Sequence, residues 1–249
     1  MNNTDKFSGK ADLYAKARPN YPSQLIDYLI ERLSITNDTV IADVGSGTGK
    51  LSVEFLKHGC KVFCVEPNKD MRNAAERMLS EYSGFTSVNG TDADTTLADN
   101  SVNIVTVAQA FHWFDVDRFK AECKRILKQK GAVAVIYNHR TVGSDLVAEN
   151  AEICKRFCLC FKGFSNKLNA DAIAKIAFLF DYRYETVRFE NNLTYSKELF
   201  VQRMLSASYA PTENASQYGE YVTALENLFD KYSNDNILTL PNETIAYIG

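Results

Sequence analysis

The sequence has no apolar run approaching the ~20 residues that a membrane-spanning helix needs. Its opening stretch, Met1 to Lys10, is polar and holds no apolar signal core. It has no cationic excess either: 28 Lys and Arg stand against 31 Asp and Glu, a formal net charge of −3. A chain with that balance has no general attraction for nucleic-acid phosphates or anionic membranes. Internal repeats and low-complexity linkers are absent, and so is the Gly-x-Gly-x-x-Gly spacing of pyrophosphate-binding dinucleotide folds. What remains is a chain of 249 residues, 45% hydrophobic and 24% charged. That composition predicts one globular domain over 1–249, located in the cytoplasm, with neither nucleic acid nor membrane as partner.

Six cysteines are present. Cys60 and Cys64 flank an apolar run, and Cys123 falls on the apolar face of a helical pattern. Cys154, Cys158 and Cys160 form Cys-x-x-x-Cys-x-Cys, one residue short of an iron–sulfur signature whose three thiolates must converge on one cluster. Their mainly helical, apolar surroundings favour buried free thiols, and no metal site is expected.

The stretch that organises the chain is Val40-Ile41-Ala42-Asp43-Val44-Gly45-Ser46-Gly47-Thr48-Gly49-Lys50-Leu51. It reads as a buried strand, a tight glycine turn and a helix start. Glycines at every second position let the backbone approach a ligand closely, beside the unpaired N–H groups of a helix N-terminus. Asp43 would repel a pyrophosphate and attract a cation. The next strand pattern, Lys61 to Val65, ends on Glu66, an acid suited to a pair of ribose hydroxyls. Loop, Asp43 and Glu66 together predict a site for S-adenosylmethionine (SAM), which carries a sulfonium and an ammonium and has no phosphate.

The remaining elements follow in order. Ser23 to Leu33 has helical spacing, with Ser23 as the expected cap. Pro67 and Asn68 open a helix with Met71, Ala74, Ala75, Met78 and Leu79 on one face. A short strand over Phe85 to Val88 leads into Gly90-Thr91-Asp92-Ala93-Asp94, and the buried strand Val102 to Val107 into Ala108-Gln109-Ala110-Phe111-His112-Trp113-Phe114. Asp115 caps a helix that Gly131 is expected to end, and a strand over Ala132 to Tyr137 follows. Two helices over 145–161 and 169–180, a strand from Tyr184 to Leu193, helices over 197–208 and 217–232 and a last strand from Ile237 to Ile248 complete the pattern. The alternation predicts a doubly wound, mainly parallel seven-stranded sheet, whose ligands sit beyond the carboxyl ends of its strands. Residues 1–36 are expected to form an N-terminal cap, and 141–182 with 196–235 a helical lid on the substrate side.

With these residues in view, the chain resembles the class I SAM-dependent methyltransferases, and within them the type 11 group that includes trans-aconitate methyltransferase-like proteins. The resemblance rests on Asp43-Val44-Gly45-Ser46-Gly47-Thr48-Gly49, on Val65-Glu66-Pro67-Asn68 with Met71, on Tyr14-Ala15-Lys16-Ala17-Arg18-Pro19-Asn20-Tyr21-Pro22, and on Val107 to Asp115. It implies a Rossmann-like fold and SAM binding by Tyr14, Arg18, Asp43, Gly45, Gly47, Gly49, Glu66, Pro67, Met71, Asp92, Ala93, Gln109 and Ala110. Where that group has Ala-Glu after Gly-Thr, this chain has Asp92-Ala93-Asp94, so the adenine acid is Asp92 or Asp94. Phe111, Trp113, Tyr137 and Tyr209 are expected to shape the substrate pocket. His112 is the candidate general base, set against a packed histidine beside SAM.

Methyl transfer to a small molecule is the expected activity, with a carboxylate the favoured acceptor because it is already ionised at neutral pH. Arg18, Arg140 and Arg203 are the candidate partners for such an anion. A nicotinamide-dependent oxidoreductase is disfavoured by Asp43 and the glycine spacing. A non-catalytic SAM-binding module stays open until a product is assayed. A monomer and a homodimer fit the sequence equally.

Overall fold

A computed structural model gives the protein's structure and describes residues 20–141, 143–164, 169–207 and 209–249. The chain divides into two compact units. One comprises Met1–Asn138, Lys167–Phe189 and Thr244–Gly249, and the other His139–Asn166 and Glu190–Glu243.

The first unit is built on the expected sheet. Its elements are α1 (Ser23–Arg32), β1 (Val40–Val44), α2 (Ser52–Lys57), β2 (Lys61–Val65), α3 (Lys69–Leu79), β3 (Phe85–Val88), β4 (Val102–Ala108), α4 (Val116–Ile126) and β5 (Leu127–Arg140). The second unit begins with α5 (Asp145–Phe157). Then α6 (Ala170–Leu179) and β6 (Glu185–Glu190) belong to the sheet unit. The second unit resumes with β7 (Leu193–Tyr195), α7 (Lys197–Leu205), α8 (Tyr218–Tyr232) and β8 (Leu238–Leu240), and the chain returns to the sheet as β9 (Asn242–Ile248).

Seven strands form one sheet in the order β3-β2-β1-β4-β5-β9-β6. β1 pairs in parallel with β2 and β4, β2 with β3, and β4 with β5. The Val133 N–H donates to Gly249 O at 2.8 Å and the Gly249 N–H to Val133 O at 3.1 Å. That reciprocal exchange marks β9 as antiparallel to β5. Successive strand residues bury on opposite faces. Ile41, Val62, Ile104 and Ile136 share one core with Leu25, Leu29 and Phe55 of α1 and α2. Val44, Val105, Val107 and Val135 share the other with Phe119, Cys123 and Ile176 of α4 and α6. Burial on both faces is why these strands read as continuous apolar runs.

The expected cap at Asp115 forms, its carboxylate accepting from Arg118 N at 3.2 Å, and Asn68 caps the helix that it is expected to open, accepting from Met71 N at 3.0 Å. Ser23 is not a cap. Extended Pro22 takes that place, and Ser23 is the first helical residue. Met78 is 51% exposed, because Leu79 takes the inward position at the end of α3. Nor does Gly131 end α4, which stops at Ile126 where Leu127 turns extended and enters β5 directly. Gly131 instead sits where a side chain would meet Leu127 Cδ2 at 2.7 Å and Asn103 O at 3.0 Å. The strand expected over Tyr184 to Leu193 is shorter, and Leu193 starts β7. Pro241, with no N–H to donate, divides the expected last strand into β8 and β9.

In the second unit β7 and β8 pair antiparallel, Leu193 opposite Leu240 and Tyr195 opposite Leu238. Beneath them lies a core of Leu146, Cys154, Phe157, Phe200, Tyr221, Leu225 and Phe229. All six cysteines are free, and five are buried as expected; Cys160, beyond the end of α5, is exposed. Among the described residues no helix is long and apolar enough to cross a membrane.

Candidate functional site

β1 ends at Val44, and the loop that follows is held against the end of β2: Gly45 N and Ser46 N donate to Val65 O at 2.8 and 3.2 Å. Gly45, Gly47 and Gly49 have φ of +70, +57 and +80°. Each is a position where an L side chain is strained. Their surroundings differ. A Cβ on Gly45 would stand 2.6 Å from Ala110 Cβ, and one on Gly49 would strike Leu79 Cδ1. A Cβ on Gly47 would meet nothing within 4 Å. Two glycines are therefore required by packing within the protein, while Gly47 leaves its face open for a ligand. Beside it the Ser46 hydroxyl is buried with no hydrogen-bond partner among the described residues.

Glu66 stands opposite this loop, buried to 9% exposure. Its Oε2 accepts from Gly47 N at 3.0 Å and its Oε1 from Asn68 N at 2.8 Å. Burial pushes the carboxyl above its usual range, and the two N–H donors pull it back. Each oxygen keeps a lone pair for a further donor. Arg72 Nη1 ties the next turn by donating to the carbonyls of Glu66 and Pro67, both at 2.8 Å. Met71 is buried one helical step further on.

Asp43 is more deeply placed, 1% exposed. Ser52 Oγ donates to its Oδ2 at 2.6 Å and Thr106 Oγ1 to its Oδ1 at 2.9 Å. The Cys64 thiol donates in turn to Ser52 Oγ at 3.1 Å. Burial nevertheless raises the Asp43 carboxyl to about 6. This chain of groups joins β1, β2, β4 and the first turn of α2, so Asp43 fixes the loop's base. Ser52 and Thr106 were not singled out from the sequence. Their hydroxyls match an acid nine and sixty-three positions away, a pairing that only the fold reveals.

Of the two adenine candidates, Asp92 is half-buried and accepts from Asp115 N at 3.1 Å, with its carboxyl raised by burial. Asp94 is exposed and closes its own turn by accepting from Thr96 N at 3.0 Å. Ala93, half-buried, lies between them. After β4, Gln109 takes φ of +61°; its N–H donates to Ile136 O at 2.9 Å and its amide to Asn138 O at 3.2 Å. Ala110 then abuts Gly45. Phe111 turns into the core, 1% exposed, edge-on to Phe114 and Phe119. His112 is half-buried, its ring centroid 4.7 Å from Trp113 and 6.2 Å from the buried Tyr137. Trp113 is 43% exposed.

Tyr14 and Arg18 lie outside the described residues. Tyr209 belongs to the second unit, where its ring packs 4.9 Å from Phe161. Arg140 and Arg203 are there too, Arg140 stacked 3.8 Å from the Phe164 ring centroid.

The first unit thus gathers an open glycine, a buried hydroxyl and two carboxylates, with Asp92 on a neighbouring loop. That set suits a ligand with a vicinal diol and a positive charge and opposes a pyrophosphate. SAM has both features.

Residues 42–135 match the family model described as a methyltransferase domain. An uncharacterized methyltransferase of Mycobacterium tuberculosis is 33% identical over 150 residues, covering 60% of this chain and 59% of that protein. One from Schizosaccharomyces pombe is 30% identical over 128 residues, covering 51% of this chain and 50% of that one. The chain thus spans between half and three-fifths of these curated relatives. Among solved structures, a protein assigned as a type II methyltransferase from Anaeromyxobacter dehalogenans superposes with a TM-score of 0.63 at 20% identity, covering 93% of this chain and 95% of that one. A methyltransferase assigned to an antibiotic biosynthesis pathway of Anabaena variabilis gives 0.60 at 20% identity, with coverage of 91% and 97%. Residues 42–135 thus match a methyltransferase domain model, and the sheet built through them has the fold of these solved structures assigned as methyltransferases.

Proposed function

We propose that the protein transfers a methyl group from SAM to a small anionic acceptor, on a carboxylate oxygen. The observation that carries the cofactor reading is the pairing of Glu66 with Gly47: a buried carboxylate bonded to the one loop glycine whose face is open. Glu66 would take the ribose hydroxyls, Asp92 the adenine amino group, and the glycine loop the methionine portion. SAM supplies an activated methyl: the acceptor oxygen forms the new bond to carbon, and sulfur keeps the electron pair and leaves as a neutral thioether. The chain's own part is to hold the acceptor in line and exclude water. His112, packed between Trp113 and Tyr137, reads as a wall of that site.

The carboxylate assignment rests on chemistry and on the resemblance to trans-aconitate methyltransferase-like proteins. An ionised acid needs no base, and the net charge of −3 leaves no nucleic-acid footprint. Calorimetry of the full chain with SAM and with NAD tests the cofactor. Saturable SAM binding is expected, weakened in Glu66→Ala by about 1–3 kcal/mol for the lost hydrogen bonds to a charged group. Binding of NAD alone would reject the reading. A SAM-dependent screen of small acids tests the acceptor, since a methyl ester is cleaved by mild alkali and a methyl ether is not.

A further inference from the structure

The second unit holds a second concentration of polar chemistry. Arg140 ends β5, Tyr195 ends β7, Arg203 lies on α7, and Tyr209 follows it. The Arg140 guanidinium is stacked on Phe164, 3.8 Å from the ring centroid, and Arg203 lies 5.6 Å from the Tyr195 ring centroid. Phe164 packs edge-on against Phe161, and Phe161 in turn against Tyr209. Burial and the neighbouring Arg203 charge both lower the Arg140 pKa. The charges of both arginines act on both phenols, Tyr195 and Tyr209. These groups therefore form one cluster.

Both arginines are half-buried. Buried charges are ordinarily paired, because an uncompensated one is costly. Among the described residues no carboxylate pairs with Arg140, and the groups that bear on it are two phenols, a thiol and a second cation. Three acids of this unit pair with other groups: Glu149 with Lys231 and Tyr232, Asp230 with Lys197 and Glu152 with Lys155. Arg140 is stacked on an aromatic ring with no carboxylate on it among the described residues, which leaves its counter-charge to come from a ligand. A guanidinium fork matches a carboxylate's two oxygens.

We propose that Arg140 and Arg203 form a carboxylate-binding site walled by Phe164, Tyr195 and Tyr209, for a small acid with a flat, unsaturated or aromatic body. The site belongs to the second unit and goes beyond the function proposed above: it is a binding site for a small acid in its own right.

Binding separates this from the cofactor reading. The full chain is titrated with benzoate, with its uncharged isostere benzamide and with acetate, and separately with SAM. Benzoate is expected to bind more tightly than acetate, and benzamide to show no saturable binding. Arg140→Met and Arg203→Met should each weaken benzoate by about 10- to 100-fold, with SAM affinity unchanged. Because Arg140→Met could fail to fold, phenylglyoxal modification of the unmutated chain gives a second readout. Benzoate should protect Arg140 in mass-spectrometric peptide mapping, and benzamide should not. Absence of benzoate binding, equal binding of benzamide, or benzoate binding indifferent to both arginines would overturn the site while leaving SAM binding intact. Benzoate binding without any SAM binding would instead overturn the methyltransferase reading and keep the site.

Discussion

The two units handle buried charge in opposite ways. In the sheet unit each acid of the candidate site already has donors from the protein: Ser52 and Thr106 on Asp43, Gly47 and Asn68 on Glu66, Asp115 N–H on Asp92. That loop is organised before any ligand arrives, so little ordering remains to oppose binding. In the second unit the half-buried cation Arg140 has an aromatic face and phenols around it and no carboxylate among the described residues. The difference teaches that the first unit answers its buried acids with its own donors, while the second, among the described residues, leaves Arg140 without a carboxylate.

The sharpest way to break this comparison lies in the glycine loop. Gly45→Ala places a Cβ 2.6 Å from Ala110 Cβ at φ of +70°. Strain and overpacking together should cost about 2–5 kcal/mol of stability. Gly47→Ala has the same backbone problem but no clash within 4 Å, and should cost only about 1–2 kcal/mol. Yet Gly47→Ala should lose SAM binding out of proportion to its stability, because its new methyl occupies the open face. Denaturant melts and calorimetry on both variants check this. Unimpaired SAM binding by a folded Gly47→Ala would mean that no ligand meets that face.

Next in size is the pH dependence held by Asp43. Its carboxyl is raised from 3.8 in the unfolded chain to about 6 when folded, by burial. The folded state therefore binds the extra proton between these values. The group favours folding below the lower pKa, and that contribution is lost as pH rises through about 6. Without SAM, wild-type stability relative to Asp43→Asn should fall by about 3 kcal/mol in all from about pH 3 to about pH 7, most of it between 3.8 and 6. A difference that stays flat across the window would show that Ser52 and Thr106 fully compensate the charge.

The smallest effect is expected at His112. A wall residue replaced by alanine should lower turnover less than about tenfold and in step with acceptor affinity, whereas loss of a general base costs ~10²–10⁴-fold with SAM still bound. Steady-state kinetics with the acceptor found by the screen distinguish the two. A large fall in kcat at unchanged KM would return His112 to the chemistry.

Much of the sheet unit was legible because its signals are local. The glycine loop, the helix start at Pro67 and Asn68, the cap at Asp115 and the acid closing β2 are each set by residues within a few positions. The misreadings occur where one residue fits two patterns. Leu127 is the next apolar position of α4 and also the first of β5, so periodicity carries the helix too far. Met78 and Leu79 both fall near the inward stripe of α3, and packing chooses Leu79. The Ser52–Asp43–Thr106 chain and the gathering of Arg140 with Tyr195 and Tyr209 depend on contacts across the fold, and no spacing announces them.

The distribution of thiols has a practical consequence. Five cysteines are buried, and burial raises Cys60, Cys64, Cys123, Cys154 and Cys158 above the ordinary thiol range, keeping them protonated and shielded. Cys160 alone is exposed, and it lies in the second unit. The native protein should accordingly take up a single equivalent of a maleimide dye. That gives an optical reporter on the arginine-bearing unit without altering a single codon, while the cofactor loop stays unlabelled.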